Sequence, residues 1–159
     1  MKKPDWDSLQ TYAWNYFEYH AGQRMNTFNF YLIICTILAT GFVTIAEKDH
    51  PSASGNVLGA VIGILFPFFS WVFWQLDNRN RFFIKNAEKA LMNLEKNIPA
   101  RSKDDPPIRI FTYSEKRREI LRGITSGKYS YSYCFRFIFI LFSFLGLCAA
   151  AYMVIFNSK

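Results

Sequence analysis

The stretch FNFYLIICTILATGFVTIA, residues 28–46, runs for nineteen residues without a charged side chain, and its reading decides the fold. At 1.5 Å per residue, an α-helix of that length approaches the ~30 Å hydrocarbon thickness of a bilayer. Two further runs match it: VLGAVIGILFPFFSWVFWQL, residues 57–76, and FIFILFSFLGLCAAAYMVIF, residues 137–156, each twenty residues long and also free of charge. One such run in a soluble protein reads as a buried core helix. Three of them in 159 residues would leave a soluble fold too little polar surface. The sequence is therefore read as an all-α integral membrane protein with three transmembrane helices, an N-terminal amphipathic helix and a cytoplasmic helical hairpin.

Working outward, the connection after the first run, from Glu47 through Pro51 to Ser54, carries charge and turn chemistry that returns the chain toward a second span. Trp71 and Trp74 close that span against Asp77, and Tyr129, Tyr131, Tyr133 and Arg136 precede the third, as expected of side chains at headgroup depth. Residues 1–27 place Leu9, Tyr12, Ala13, Tyr16, Phe17, His20 and Ala21 mostly on one side of a helix that Asp7 or Ser8 can cap. That helix is suited either to the membrane surface or to packing under the central segment. In residues 77–128, Ile84, Ala87, Leu91, Leu94 and Ile98 make an apolar stripe continuing out of span two. Pro99, Pro106 and Pro107 end that helix. Thr112 and Glu115 stand at capping-box spacing before a second, shorter one. Residues 129–159 complete the chain with the third span and a short tail.

The formal charge is +7, and its distribution is more informative than its size. Lys2, Lys3 and Arg24 precede span one, Lys48 alone lies in the first loop, thirteen of the nineteen Lys and Arg residues fall in 78–128, and only Lys159 follows span three. Basic residues are retained on the cytoplasmic side. The expectation is an inner (plasma) membrane protein with its N-terminus and central segment in the cytoplasm and its C-terminus outside. An apolar run beginning only at residue 28 is a poor fit to a cleaved leader.

No P-loop, HExxH, GxSxG or dinucleotide fingerprint appears. Cys35, Cys134 and Cys148 form no CxxC pair and have no His at ligand spacing. The expectation is a non-enzyme without catalytic residues, cofactor or metal. The absence of charge within the spans also argues against a proton relay or voltage sensor.

Three patterns remain as candidates. Gly55, Gly59 and Gly63, four apart on one face of span two, offer a surface for close helix packing, within the chain against span one or between subunits. Thr36, Thr40 and Thr44 make a hydroxyl row on span one. Such hydroxyls ordinarily bond back to an i−4 carbonyl, and with several subunits assembled row-inward they would offer a mildly polar, uncharged pore lining. Pro67, midway through span two, removes a backbone donor and is a candidate hinge. A polar collar or partner site is expected from His20, Arg24, Asp77, Arg79, Arg81, Arg117 and Arg118, the alternative being ordinary interfacial pairing with carboxylates or lipid phosphate. The order His20 then Arg24 is the reverse of the Arg-then-His order of RNA-cleaving HEPN-type sites.

The aromatic segment Tyr16-Phe17-Glu18-Tyr19-His20-Ala21-Gly22-Gln23-Arg24, the two-span hairpin and the basic helix from Arg79 to Glu95 together resemble the small membrane effectors of bacterial antiviral defence. The likeness is to the SLATT-like type in particular, a two-span hairpin followed by a cytoplasmic helix, here with an added third span. It covers roughly residues 10–98 and is architectural. It implies homo-oligomerisation and membrane permeabilisation when infection is sensed, with a cytoplasmic activating protein or nucleoprotein as partner. The competing reading is a non-enzymatic membrane adaptor whose basic region recruits such a partner, direct nucleic-acid binding remaining open.

Overall fold

The computed structural model describes residues 5–47, 53–96, 109–125 and 131–155, apart from the side chains of residues 53, 118, 119, 121–125 and 131. Four helices account for nearly all of these: α1 (Trp6–Ala46), α2 (Ala53–Glu95), α3 (Ile110–Thr125) and α4 (Tyr131–Ile155). No strand occurs among the described residues. The first loop around Lys48 and His50, the proline-flanked segment from Ile98 to Pro107, Tyr129 and the side chain of Arg118 lie outside the described residues.

Helices α1, α2 and α4 are long and apolar enough to cross a membrane. Within the chain only 11%, 28% and 17% of their most apolar windows are buried. These runs are therefore not core helices within the chain itself: the remaining apolar surface faces outward and needs hydrocarbon or another subunit against it.

α1 begins earlier than the cap expected at Asp7 or Ser8. The Asp5 carboxylate accepts from the Ser8 amide at 3.4 Å, and the Asp5 carbonyl accepts from the Leu9 amide at 3.2 Å, the geometry of an N-cap one residue before Trp6. From there a single helix of 41 residues runs to Ala46. The amphipathic N-terminal segment and the first span are thus one element. α2 is likewise unbroken for 43 residues, with Pro67 inside it.

The chain divides into two compact units: Met25–Asn78 with Tyr131–Lys159, and Met1–Arg24 with Arg79–Ser130. The first is a three-helix bundle. Tyr31, Cys35, Phe66, Phe73, Phe135 and Phe139 form its core. Phe28 stacks on Phe135 with ring centroids 4.0 Å apart, and Tyr31 meets Phe139 edge-on at 4.8 Å, so α1 and α4 run parallel. The Tyr31 hydroxyl and Ser70 Oγ share a buried hydrogen bond of 2.8 Å between α1 and α2, satisfying two polar groups that would be costly to leave unpaired in an apolar interior.

The second unit packs the start of α1, the end of α2 and α3. The expected stripe on α2 is turned inward at Ala87 and Leu91, both buried, and Asn80 and Glu95 join it. Trp14 and Phe17 of α1 meet the Phe111 ring at 6.3 and 5.4 Å, and Tyr16 meets Phe83 at 6.4 Å. Tyr16 and Phe17 are thus half-buried within this unit, whereas Trp6, Tyr12, Trp14 and Tyr19 stay exposed. The capping box expected at Thr112 and Glu115 is replaced. α3 starts at Ile110, and its first-turn donors are taken by Glu95 of α2, whose carboxylate accepts from the Phe111 amide (2.8 Å), the Thr112 amide (2.8 Å) and the Thr112 hydroxyl (2.7 Å). A carboxylate at a helix N-terminus also meets a favourable dipole.

Replacing Glu95 with Ala is expected to remove about 1–2 kcal/mol of local stability. Hydrogen exchange at Phe111 and Thr112 should accelerate about tenfold while amides in the three long spans keep their protection; unchanged exchange at α3 would contradict this role.

Candidate functional site

The glycine row of α2 is occupied within the chain, and its partner is α4 rather than span one. A Cβ added to Gly59 would lie 3.0 Å from Met153 side-chain atoms; one added to Gly63 would lie 2.6 Å from the Ala150 backbone nitrogen and 2.8 Å from the Gly146 carbonyl oxygen. The reverse holds at Gly146, where a Cβ would run into Phe66 Cβ and lie 2.6 Å from the Gly63 carbonyl oxygen. Pairing advances along α2 as it recedes along α4, so these helices are antiparallel. Gly55 stands in the first turns of α2, half-buried.

Pro67 belongs to the same contact. The carbonyl four residues before a helical proline loses its amide donor, and here that carbonyl is Gly63's. Its oxygen lies against Gly146, where an α-carbon hydrogen can approach in a weak C–H···O contact. The candidate hinge therefore coincides with the close approach of α2 and α4 at Gly63 and Gly146.

The threonine row lies on the outside. Thr36, Thr40 and Thr44 are exposed, and their hydroxyls donate to the carbonyls of Leu32 (2.9 Å), Thr36 (3.0 Å) and Thr40 (2.9 Å). Donation inward satisfies each hydroxyl hydrogen and leaves the oxygen's remaining lone pair facing out. Tyr31 and Cys35, buried on the other side of the same helix, hold α1 against the bundle.

The collar residues are divided between the units. Asp77 is buried and belongs with the spans, whereas His20, Arg24, Arg79, Arg81 and Arg117 belong with the other unit. Within that unit Phe83 joins two of them: the His20 ring lies 4.8 Å from it, and the Arg79 guanidinium lies 5.7 Å from its centroid. The His20 ring also packs on Tyr16 at 4.4 Å, and its Nδ1 is buried without a hydrogen-bond partner. Arg24 and Arg81 are half-buried; Arg79 and Arg117 are exposed. Sequence reasoning missed Phe83 and Glu95 because the contacts that give them their roles, with His20 of α1 and with the start of α3, join segments distant in the chain. It also missed the partners of Arg136, whose guanidinium stands 5.6 Å from the Trp74 ring and donates to Asn78 Oδ1 at 3.2 Å. Among the described residues no cluster of His, Cys, Asp or Glu can hold a metal ion.

Three mostly uncovered apolar helices, packed by small residues and carrying exposed hydroxyls, define a polytopic α-helical membrane protein. The chain belongs to the octameric membrane protein family, whose model matches residues 9–156 and so takes in all three spans. It is also similar to the CD-NTase-associated protein 19 of Escherichia coli, 36% identical over 139 residues that cover 87% of this chain and 86% of that protein. Neither description is that of an enzyme. No solved structure matches. The protein is accordingly a membrane protein that assembles with copies of itself.

Gly63→Ala and Gly146→Ala are each expected to lower the thermal stability of the detergent-solubilised protein, by an amount on the order of 1–3 kcal/mol, because the added methyl meets backbone or Cβ atoms. Gly59→Ala should cost less, since the flexible Met153 side chain can yield. Gly22→Ala, with nothing within 4 Å, should be neutral or stabilising by about 0.5–1 kcal/mol.

Proposed function

We propose that this protein is a membrane-permeabilising effector of bacterial antiviral defence, assembling as an octamer in the inner membrane with its N-terminus and basic central segment in the cytoplasm and its C-terminus outside. Membership of a family described as octameric membrane proteins and likeness to a CD-NTase-associated protein support the assembly and the setting. The observation that carries the reading is the exposed row of Thr36, Thr40 and Thr44 on α1. An apolar helix has no need of three aligned hydroxyls toward lipid, whereas copies arranged around an axis with this row inward would line a narrow, uncharged path. Because each hydroxyl hydrogen is held by an i−4 carbonyl, the lining would present acceptors, favouring cations and water over anions.

The trigger is assigned to the basic unit, where Arg79, Lys116 and Arg117 are exposed and available to an acidic protein surface or nucleoprotein. Pro67 would serve as the hinge through which α2 passes that signal to the bundle, at the cost of the Gly63–Gly146 contact. Exposure of Tyr113 and Arg117 on one helix also favours a second reading, a membrane adaptor that holds a cytoplasmic partner on α3 without permeabilising the bilayer.

The two readings separate in liposomes. Thr40→Leu is expected to reduce dye or ion leakage at least tenfold while insertion and oligomer mass stay as in wild type, and Thr40→Ser should retain leakage. Leakage unaffected by Thr40→Leu would dismiss the lining. Reversal of Arg117 to Glu that releases a partner in a pull-down, in a protein that never leaks, would establish the adaptor.

A further inference from the structure

We propose that Arg136, Trp74 and Asn78 form a binding site for the phosphate of an anionic membrane phospholipid. Arg136 stands immediately before the uncharged run 137–156, Trp74 stands in the last turn of the uncharged run 57–76, and Asn78 follows that run just past Asp77. Because α2 and α4 are antiparallel, both helices bring these residues to the same end of the bundle, at the boundary between hydrocarbon and headgroups. All three are partly buried.

The guanidinium is fixed on two sides. It lies over the Trp74 indole at 5.6 Å, and one Nη donates to Asn78 Oδ1 at 3.2 Å. Its Nε is shut away from solvent with no hydrogen-bond partner. Neither Asn78 nor the indole, the two groups that hold the guanidinium, carries a negative charge. A cation that has lost part of its hydration to neutral groups gains from an anionic ligand. At headgroup depth, phosphate is the abundant anion, and a planar guanidinium with Nη hydrogens still to place matches its oxygens in a bidentate fork. The indole supports the fork from behind by cation–π attraction and is itself suited to that depth. A phosphatidylglycerol-type lipid, with net negative charge, neutralises the site, and a zwitterionic lipid does so less completely. This assignment stands apart from whether the assembly forms a pore.

Native mass spectrometry of the full-length protein, released from bilayers of mixed phosphatidylcholine and phosphatidylglycerol, tests it. Wild-type protein is expected to retain phosphatidylglycerol preferentially. Arg136→Gln should weaken that retention roughly tenfold or more, the loss of one charge-assisted pair. Arg136→Lys should keep part of it, and Lys89→Gln, an exposed position, should keep all of it. The same spectra report whether the oligomer is intact; if Arg136→Gln fails to assemble, Trp74→Phe provides the reading, with a several-fold loss expected. Equal phosphatidylglycerol retention by wild type and an assembled Arg136 or Trp74 variant overturns the site. Stabilisation of delipidated protein by inorganic phosphate as strong as that by phosphatidylglycerol, and lost in Arg136→Gln, would reassign it to a soluble phosphate and overturn the lipid assignment.

Discussion

The close approach of α2 and α4 at Gly63 and Gly146 is the constraint on which the bundle depends. Between helices in lipid there is no hydrophobic force to draw them together, since hydrocarbon is as good a solvent for Leu as another helix is. What holds them is the density of contact and whatever polar interactions the backbones can make. Two glycines facing each other remove the side chains that would keep the backbones apart, and Pro67 leaves the Gly63 carbonyl in search of a donor at that same place. The short approach also fixes register. Once Gly63 meets Gly146, Phe66 has to pass over Gly146, Phe142 stacks beside Phe66, and Trp74 reaches Arg136 three turns away.

α1 joins this pair by different means. It has no glycine row against the other helices; Gly41 meets only the end of Ile62 at ordinary contact distance. Aromatic area takes over, with Phe28 and Tyr31 against Phe135, Phe139 and Phe142, and the Tyr31–Ser70 hydrogen bond sets the rotation of the helix. With Tyr31 and Cys35 facing in, the periodicity of the helix leaves Thr36, Thr40 and Thr44 facing out. The location of the hydroxyl row is thus a consequence of where the aromatic contacts are made.

The three spans were legible because charge is absent over a length that only a bilayer or a large core requires, and the amphipathic end of α2 was legible because its period is local. The Thr back-bonding was legible for the same reason: an i−4 carbonyl is always within reach. Contacts between distant segments were not. Nothing near Thr112 announces that Glu95 caps α3, so a weaker local capping pattern stood in its place. The glycine spacing marks a face of small residues, but such a stripe carries no label for its partner, and nothing local in either helix says that Gly63 meets α4. The continuity of α1 was also hidden, because an aromatic amphipathic segment followed by an apolar run reads equally as two helices or as one.

The internal use of the glycine row changes what is left for contact between copies. In the chain by itself Gly59, Gly63 and Gly146 are buried, so assembly cannot use them without taking the bundle apart. The surface that remains on the spans is formed by exposed large apolar side chains, such as Ile33 and Ile37 on α1, Trp71 on α2 and Phe144 on α4, together with the threonines. Large side chains interlock but do not allow the closest backbone approach, so helices packed through them stand further apart than α2 and α4 do. Among the three spans, α1 is the one whose uncovered surface carries a continuous line of hydroxyls, each already donating to a carbonyl of its own helix.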